Sequence, residues 1–270
     1  METRPLSPKH PDSPQVPVIG MGTSGTFDTD DVRAVADVVD AGLDAGTTLF
    51  DSSPMYGRAE QITGAALGNR RGESIIATKV WTPNDDEAEA QLVASASFYG
   101  GHVELMQIHN MVEWRTRLDQ IESRRDAGEI GYVGATHWQV SGYDDLEAAM
   151  RTGRLDAIQI PYNPVQREVE ERILPLAAEL GLGVLIMRPF ARADLLRTPP
   201  PESELASLAP YGVTTWGQAL LKWCLGHPAT TVAIPATTKP ARAVENAAAG
   251  TGDPFDPDTR ARVASLFTAP

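Results

Sequence analysis

Two kinds of hydrophobic pattern alternate along this chain. Short runs are apolar almost throughout: "VPVIGMG", "TTLFD", "SIIATKV", "VELMQIH", "YVGAT", "AIQIPY", "GVLIMRP" and "TVAIPA". Between most of them lies a stretch of helical length, such as "TDDVRAVADVVDAGLDAG", "AEQITGAALGN", "RTRLDQIESRRDAG" and "YDDLEAAMRTG". A run that is apolar throughout marks a strand buried on both faces, and such strands separated by helices imply a parallel sheet covered by helices. Several helical stretches finish in glycine, as a helix C-cap does. "DAG" starts at Asp40, Asp44 and Asp126, near such ends. Eight strand–helix units closing on themselves predict an α/β fold, a (β/α)8 TIM barrel in a single domain.

A doubly wound sheet is the competing architecture. It would carry a G-x-G-x-x-G turn between its first strand and first helix. "GMGTSG" (20–25) has that spacing, but "TFDTDD" follows before helical periodicity begins. No Pro/Gly/Ser linker divides the chain. The Pro-rich residues 1–15 read as a flexible N-terminal arm, residues 16–270 as the barrel, and "RTPPPESELASLAP" (197–210) as a long loop.

Composition narrows the function classes. The 270 residues are 42% hydrophobic, enough for a large core. A net charge of −13 excludes a broad basic surface for nucleic acid. The N-terminus has no apolar signal-like segment, and no run approaches about 18 apolar residues. A soluble, cytoplasmic protein with no membrane or nucleic-acid partner is expected, with a monomer as the simplest state. The one cysteine, Cys224, leaves no intrachain disulfide and reads as a small buried hydrophobe.

Barrel chemistry sits at the C-terminal ends of the strands. There the runs end in polar residues: Asp51 with Tyr56 in the next loop, Lys79, His109, Thr136 with His137, Gln159 and Arg188. Singly, each has an ordinary explanation: a helix cap, a packed ring, a surface lysine, a hydrogen-bonded histidine. Together, Asp51, Tyr56, Lys79 and His109 fall on neighbouring strands. A phenol of pKa about 10 is a poor acid–base group near neutrality. A lysine cation lowers that pKa, and an aspartate keeps the lysine charged and oriented. A neutral histidine can position a carbonyl oxygen. The set suits protonation of a carbonyl oxygen as hydride reaches the carbon. The five histidines form no H-x-H or H-E-x-x-H group, so no metal is expected.

These residues resemble the catalytic tetrad of the aldo-keto reductases. "FDSSPMYG" is similar to the family's Asp–Tyr element, "ATKVW" to its lysine element and "LMQIHN" to its histidine element. The resemblance runs from about Val16 to Asn246. It implies a (β/α)8 barrel that reduces aldehydes or ketones with NADPH, NADH being the alternative. "AIPATTKPARAVENAAA" (233–249) resembles the family's nucleotide-phosphate segment. Thr237 or Thr238 would cap that helix, Pro240 would start it, and its free N–H groups would meet phosphate.

By that resemblance Ala236, Thr237, Thr238, Lys239, Arg242, Glu245 and Asn246 would bind the nucleotide, Arg242 and Asn246 at the 2′-phosphate and adenine. Gly22 and Thr23 would border the nicotinamide, with Asp51 in the same lining. Thr136 and His137 would replace the family's Ser and Asn at the carboxamide, beside Gln159. Met187 or Arg188 stands where the family has a stacking tyrosine, followed by Pro189 and Phe190. Tyr56, His109, Trp81 and Trp114 would contact a small carbonyl substrate in an open pocket. Two other readings remain: a Schiff-base aldolase using Lys79, and a non-catalytic NADPH-binding regulator.

Overall fold

The computed structural model describes residues 1–268; the last two residues of the span assigned to the barrel lie outside the described residues. Among the described residues ten strands occur in chain order. β1 (Thr3–Pro5) and β2 (Gln15–Pro17) form a separate antiparallel pair. β3 (Met21–Gly22), β4 (Leu49–Asp51), β5 (Ile75–Val80), β6 (Val103–His109), β7 (Ile130–Thr136), β8 (Ala157–Pro161), β9 (Gly183–Met187) and β10 (Val232–Ala233) form one parallel sheet in sequential order. Parallel bridges Ile19–Ala233 and Gly22–Ala236 join its two edges, which closes the barrel. The eight strands expected from the apolar runs are these eight.

The helices are α1 (Val32–Asp44), α2 (Ala59–Leu67), α3 (Asp85–Phe98), α4 (Trp114–Asp126), α5 (Tyr143–Met150), α6 (Ile173–Glu179), α7 (Asp194–Arg197), α8 (Glu202–Ala206), α9 (Trp216–Leu225), α10 (Pro240–Ala248) and α11 (Pro257–Thr268). Their starts follow ordinary capping chemistry. Asp31 accepts from Ala34 N at 3.0 Å, and Asn84 accepts from Glu87 N at 2.9 Å. On α1 the apolar spacing puts Val35, Val38, Val39 and Leu43 against the barrel. The segments starting at Asp44 and Asp126 do end helices, with Gly46 and Gly128 at positive φ. The first "DAG" does not. Gly42 lies inside α1 and packs on Met21, where a Cβ would stand 2.7 Å from the Met21 Cε. The segment 197–210, read as a loop, begins at the last residue of α7, contains α8 and runs into a short 3-10 turn at Ala209–Tyr211.

Residues 1–15 are not the mobile arm expected from their prolines. Leu6 and Val16 are fully buried and join Leu49, Ala77, Leu105, Ala157, Leu185 and Val232 in one apolar cluster inside the barrel. Backbone bonds from Glu2 N to Gly250 O and from Lys9 N to Gly181 O, both 2.9 Å, hold the hairpin to the rim. The segment plugs the N-terminal end of the barrel. Among the described residues no helix is long and apolar enough to cross a membrane.

Candidate active site

Strand alternation decides what fills the upper barrel. Side chains two apart on a strand share a face, and the register aligns Lys79 with Gln107, Gln107 with Gly134, His109 with Thr136, and Thr136 with Gln159. Above the apolar cluster the inward positions become Asp51, Lys79, Gln107, His109, Thr136 and Gln159, all buried.

Asp51 is the hub. Its Oδ2 accepts from Lys79 Nζ at 2.8 Å, and its Oδ1 accepts from Gln159 Nε2 at 2.7 Å and Gln107 Nε2 at 3.2 Å. Lys79 Nζ also donates to Ser52 O at 2.7 Å. Burial disfavours the Lys79 ammonium, but Asp51 and Tyr56 outweigh it and hold the pKa above the ordinary lysine value. Stranding either partner of such a buried pair costs about 3–5 kcal/mol.

Tyr56 comes from a 3-10 turn, Pro54–Tyr56, that Ser53 caps through Met55 N at 3.1 Å. The Lys79 Nζ stands 5.1 Å from the Tyr56 ring centroid, and the His109 ring meets that ring edge-on at 5.8 Å. Burial raises the phenol pKa; Lys79 pulls it down, and Asp51 pushes it up again. The net shift is upward. This corrects the sequence-based expectation of a lowered phenol: burial outweighs the cation.

His109 is held neutral. Burial first, then the Lys79 charge, lower its pKa to about 2. Its Nδ1 lies 2.8 Å from Ser53 Oγ. One lone pair of that oxygen already accepts Met55 N–H, which leaves the serine hydrogen free to donate to Nδ1. With the serine O–H donating to Nδ1, the imidazole proton sits on Nε2.

A cavity of about 640 Å³ opens over this layer, lined by Gly22, Thr23, Asp51, Met55, Tyr56, His109, Asn110, Trp138, Gln159 and the segment Met187–Phe190, among others. Gly22 is required by its contact: a Cβ there would lie 2.9 Å from Ile234 O. A second cavity of about 610 Å³ is lined by Thr237, Thr238, Lys239, Arg242, Glu245 and Asn246 at the start of α10. The two share Thr26, Phe190, Ala193 and Ala236. Lys239 itself occupies the cap position of α10, and Thr237 Oγ1 instead accepts Lys239 N at 3.1 Å. Arg242 pairs with Glu245 at 2.6 Å.

Thr136 is buried and borders neither cavity, and three further expected residues fall elsewhere. The His137 ring turns away from the cavity: its Nδ1 meets Gln139 O at 3.0 Å, and it packs on Gly142. Trp114 is buried under Arg115 with its Nε1 3.4 Å from Asp145 Oδ1, so it anchors α4 rather than forming a pocket wall. Trp81 lies 6.4 Å from the His109 ring and is 40% exposed, at the rim rather than in the lining. Trp138, adjacent to His137, supplies the aromatic wall instead. Gln107 and Ser53 were also missed. Gln107 was legible as the inward residue two before His109, whereas nothing local singles out Ser53 from Ser52. Among the described residues no group of three or more His, Cys, Asp or Glu is placed to hold a metal.

The chain is similar to known proteins. The family description "Aldo/keto reductase family" matches residues 18–267. Aldo-keto reductase YhdN of Bacillus subtilis (strain 168) is 26% identical over 82% of this chain and 81% of its own length. An aldo-keto reductase of Mycobacterium sp. (strain KMS) is 30% identical over 87% of this chain and 84% of its own. A Klebsiella pneumoniae aldo-keto reductase solved in complex with NADPH superposes with a TM-score of 0.84 at 22% identity, covering 100% of this chain and 97% of that one. With the barrel closed and its polar layer at the strand ends, a match over this span means that the chain belongs to the aldo/keto reductase family, a family of NAD(P)H-dependent oxidoreductases.

Proposed function

We propose that this chain reduces an aldehyde or ketone to an alcohol with NADPH, Tyr56 giving the proton. The observation that carries the reading is the buried Lys79 ammonium, 2.8 Å from Asp51 Oδ2 and 5.1 Å from the Tyr56 ring, beneath a cavity bordered by Tyr56 and His109. The residues present fit the nucleotide. Thr136 Oγ1 and Gln107 Oε1 are buried polar atoms without a protein partner in the upper barrel. Thr136 and Gln159 would hold the carboxamide, Gly22, Thr23 and Met187 the nicotinamide end, and Pro189, Phe190 and Ala236 the middle. Lys239 and Arg242 would hold the 2′-phosphate, and Glu245 and Asn246 the adenine. The Klebsiella pneumoniae protein of the same fold was solved with NADPH bound. When bound, NADPH supplies the hydride.

The chain's own groups handle the proton. The His109 Nε2–H donates a hydrogen bond to the carbonyl oxygen and aims it at Tyr56. As that oxygen gains charge it becomes far more basic than a phenolate, and the Tyr56 O–H transfers its proton to it. The raised pKa keeps the phenol protonated until then. The Lys79 ammonium stabilises the phenolate left behind, and Asp51 keeps that ammonium charged and in place. General acid action of this kind contributes about 10²–10⁴ in rate.

The aldolase reading needs a lysine that readily gives up its proton and can be reached by substrate. Lys79 is fully enclosed and held charged. The test is the loss of nicotinamide absorbance across a panel of aldehydes and ketones with each nucleotide. Turnover with NADPH, faster than with NADH, is expected. Tight NADPH binding with no carbonyl reduced would replace this reading with the regulatory one.

A further inference from the structure

Arg188 differs from most cations of this acidic chain. Arg70, Arg124 and Arg154 each bridge two or more carboxylates. Arg188 has no such partner: among the described residues no carboxylate or carbonyl oxygen accepts from its guanidinium. Its guanidinium instead stacks on Trp138, with the guanidinium carbon 4.3 Å from the ring centroid. Its backbone is fixed in the left-handed region at φ 54°, and Asn163 Nδ2 donates to its carbonyl at 3.0 Å. The side chain therefore presents unused donors from a defined platform.

The position is in the catalytic cavity. Arg188 lines the catalytic cavity with Tyr56, His109, Asn110 and Trp138, none of which borders the second cavity. The path between the cavities runs over Thr26, Phe190, Ala193 and Ala236, beside Arg192 instead. Burial, then repulsion from Arg192, lower the Arg188 pKa, so its charge is held at a cost that a bound anion would relieve. A guanidinium fork matches a carboxylate in a bidentate pair, and Asp51, the nearby buried carboxylate, is committed to Lys79.

We propose that Arg188, seated on Trp138, is a carboxylate-binding subsite, and that the substrates of this chain are aldehydes or ketones that carry a carboxylate. The inference rests on the reductase reading above and specifies its substrate class. The shared chemistry, an oxyanion on a guanidinium, has a second source in the phosphates of the nucleotide, and the experiment separates the two.

The experiment compares 4-carboxybenzaldehyde with benzaldehyde by kcat/KM, in the wild type and in Arg188→Gln. Dissociation constants are also measured for NADPH and, by calorimetry, for 4-(hydroxymethyl)benzoate and benzyl alcohol. The wild type should favour the charged aldehyde by about 10–100-fold, the range of a charge-assisted pair. Arg188→Gln should lose most of that ratio. A wild type without the preference overturns the subsite. So does a variant that keeps the ratio; a fall in its NADPH affinity would then assign Arg188 to the nucleotide. If neither aldehyde is reduced, binding decides. Tighter 4-(hydroxymethyl)benzoate than benzyl alcohol, with the difference lost in the variant, keeps the subsite and defeats the reductase reading. No difference defeats the subsite itself.

Discussion

The two halves of the barrel interior are built from the same strands and do opposite work. Toward the N-terminal end, Leu49, Ala77, Leu105, Ala157, Leu185 and Val232 pack with Leu6 and Val16 into an apolar plug. One inward step further along the strands stand Asp51, Lys79, Gln107, Gln159 and their neighbours, a buried polar layer satisfied largely within itself. The lower half gains stability from burial. The upper half puts a carboxylate and an ammonium out of water, an arrangement in which the desolvation penalty can exceed the Coulombic gain. Such a layer is expected at a site of chemistry, where a perturbed proton donor is useful.

The sharpest way to break this comparison is to injure the halves separately. Leu105→Ala should cost about 2–5 kcal/mol of stability, read by chemical denaturation, because it deletes buried methyl groups and leaves a cavity. Activity per folded molecule should stay within about twofold, since Leu105 belongs to the apolar plug and makes none of the hydrogen bonds of the polar layer; a large drop in kcat would mean that the halves are not separable.

A smaller effect sharpens the upper half. Ser53→Ala removes the hydroxyl that sets the His109 tautomer, at 2.8 Å from Nδ1. Turnover should fall about tenfold, the order of one hydrogen bond, with KM for the carbonyl changed less. The ¹⁵N spectrum of the His109 imidazole should shift from a single Nε2–H form toward a tautomer mixture, and Ser53→Thr should restore both. An unchanged spectrum would remove Ser53 from the mechanism.

The sequence made the lower half and the outline of the upper half readable for one reason. Strands covered by helices must be apolar on both faces, so a polar residue at the end of such a run stands out. That is how Asp51, Lys79 and His109 were found. The rest depends on contacts between segments distant in sequence. His137 and Trp138 are adjacent, and only the turn that ties His137 to Gln139 decides that the tryptophan faces the cavity. Trp114 looked like a wall because it follows His109, but its helix carries it into the layer against Asp145. The N-terminal hairpin was hidden because its strands are three residues each and rich in proline; what orders it is the open barrel end that Leu6 fills. The direction of the Tyr56 shift was misjudged because burial of a ring cannot be read from a loop sequence.

The central claim is that Tyr56 delivers the proton while the nucleotide is held by other residues. The direct measurement is kcat for NADPH-linked carbonyl reduction by Tyr56→Phe, with the NADPH dissociation constant taken on the same preparation. The account predicts a fall in kcat of about 10²–10⁴ with nucleotide affinity preserved. Turnover within a few-fold of wild type would contradict it.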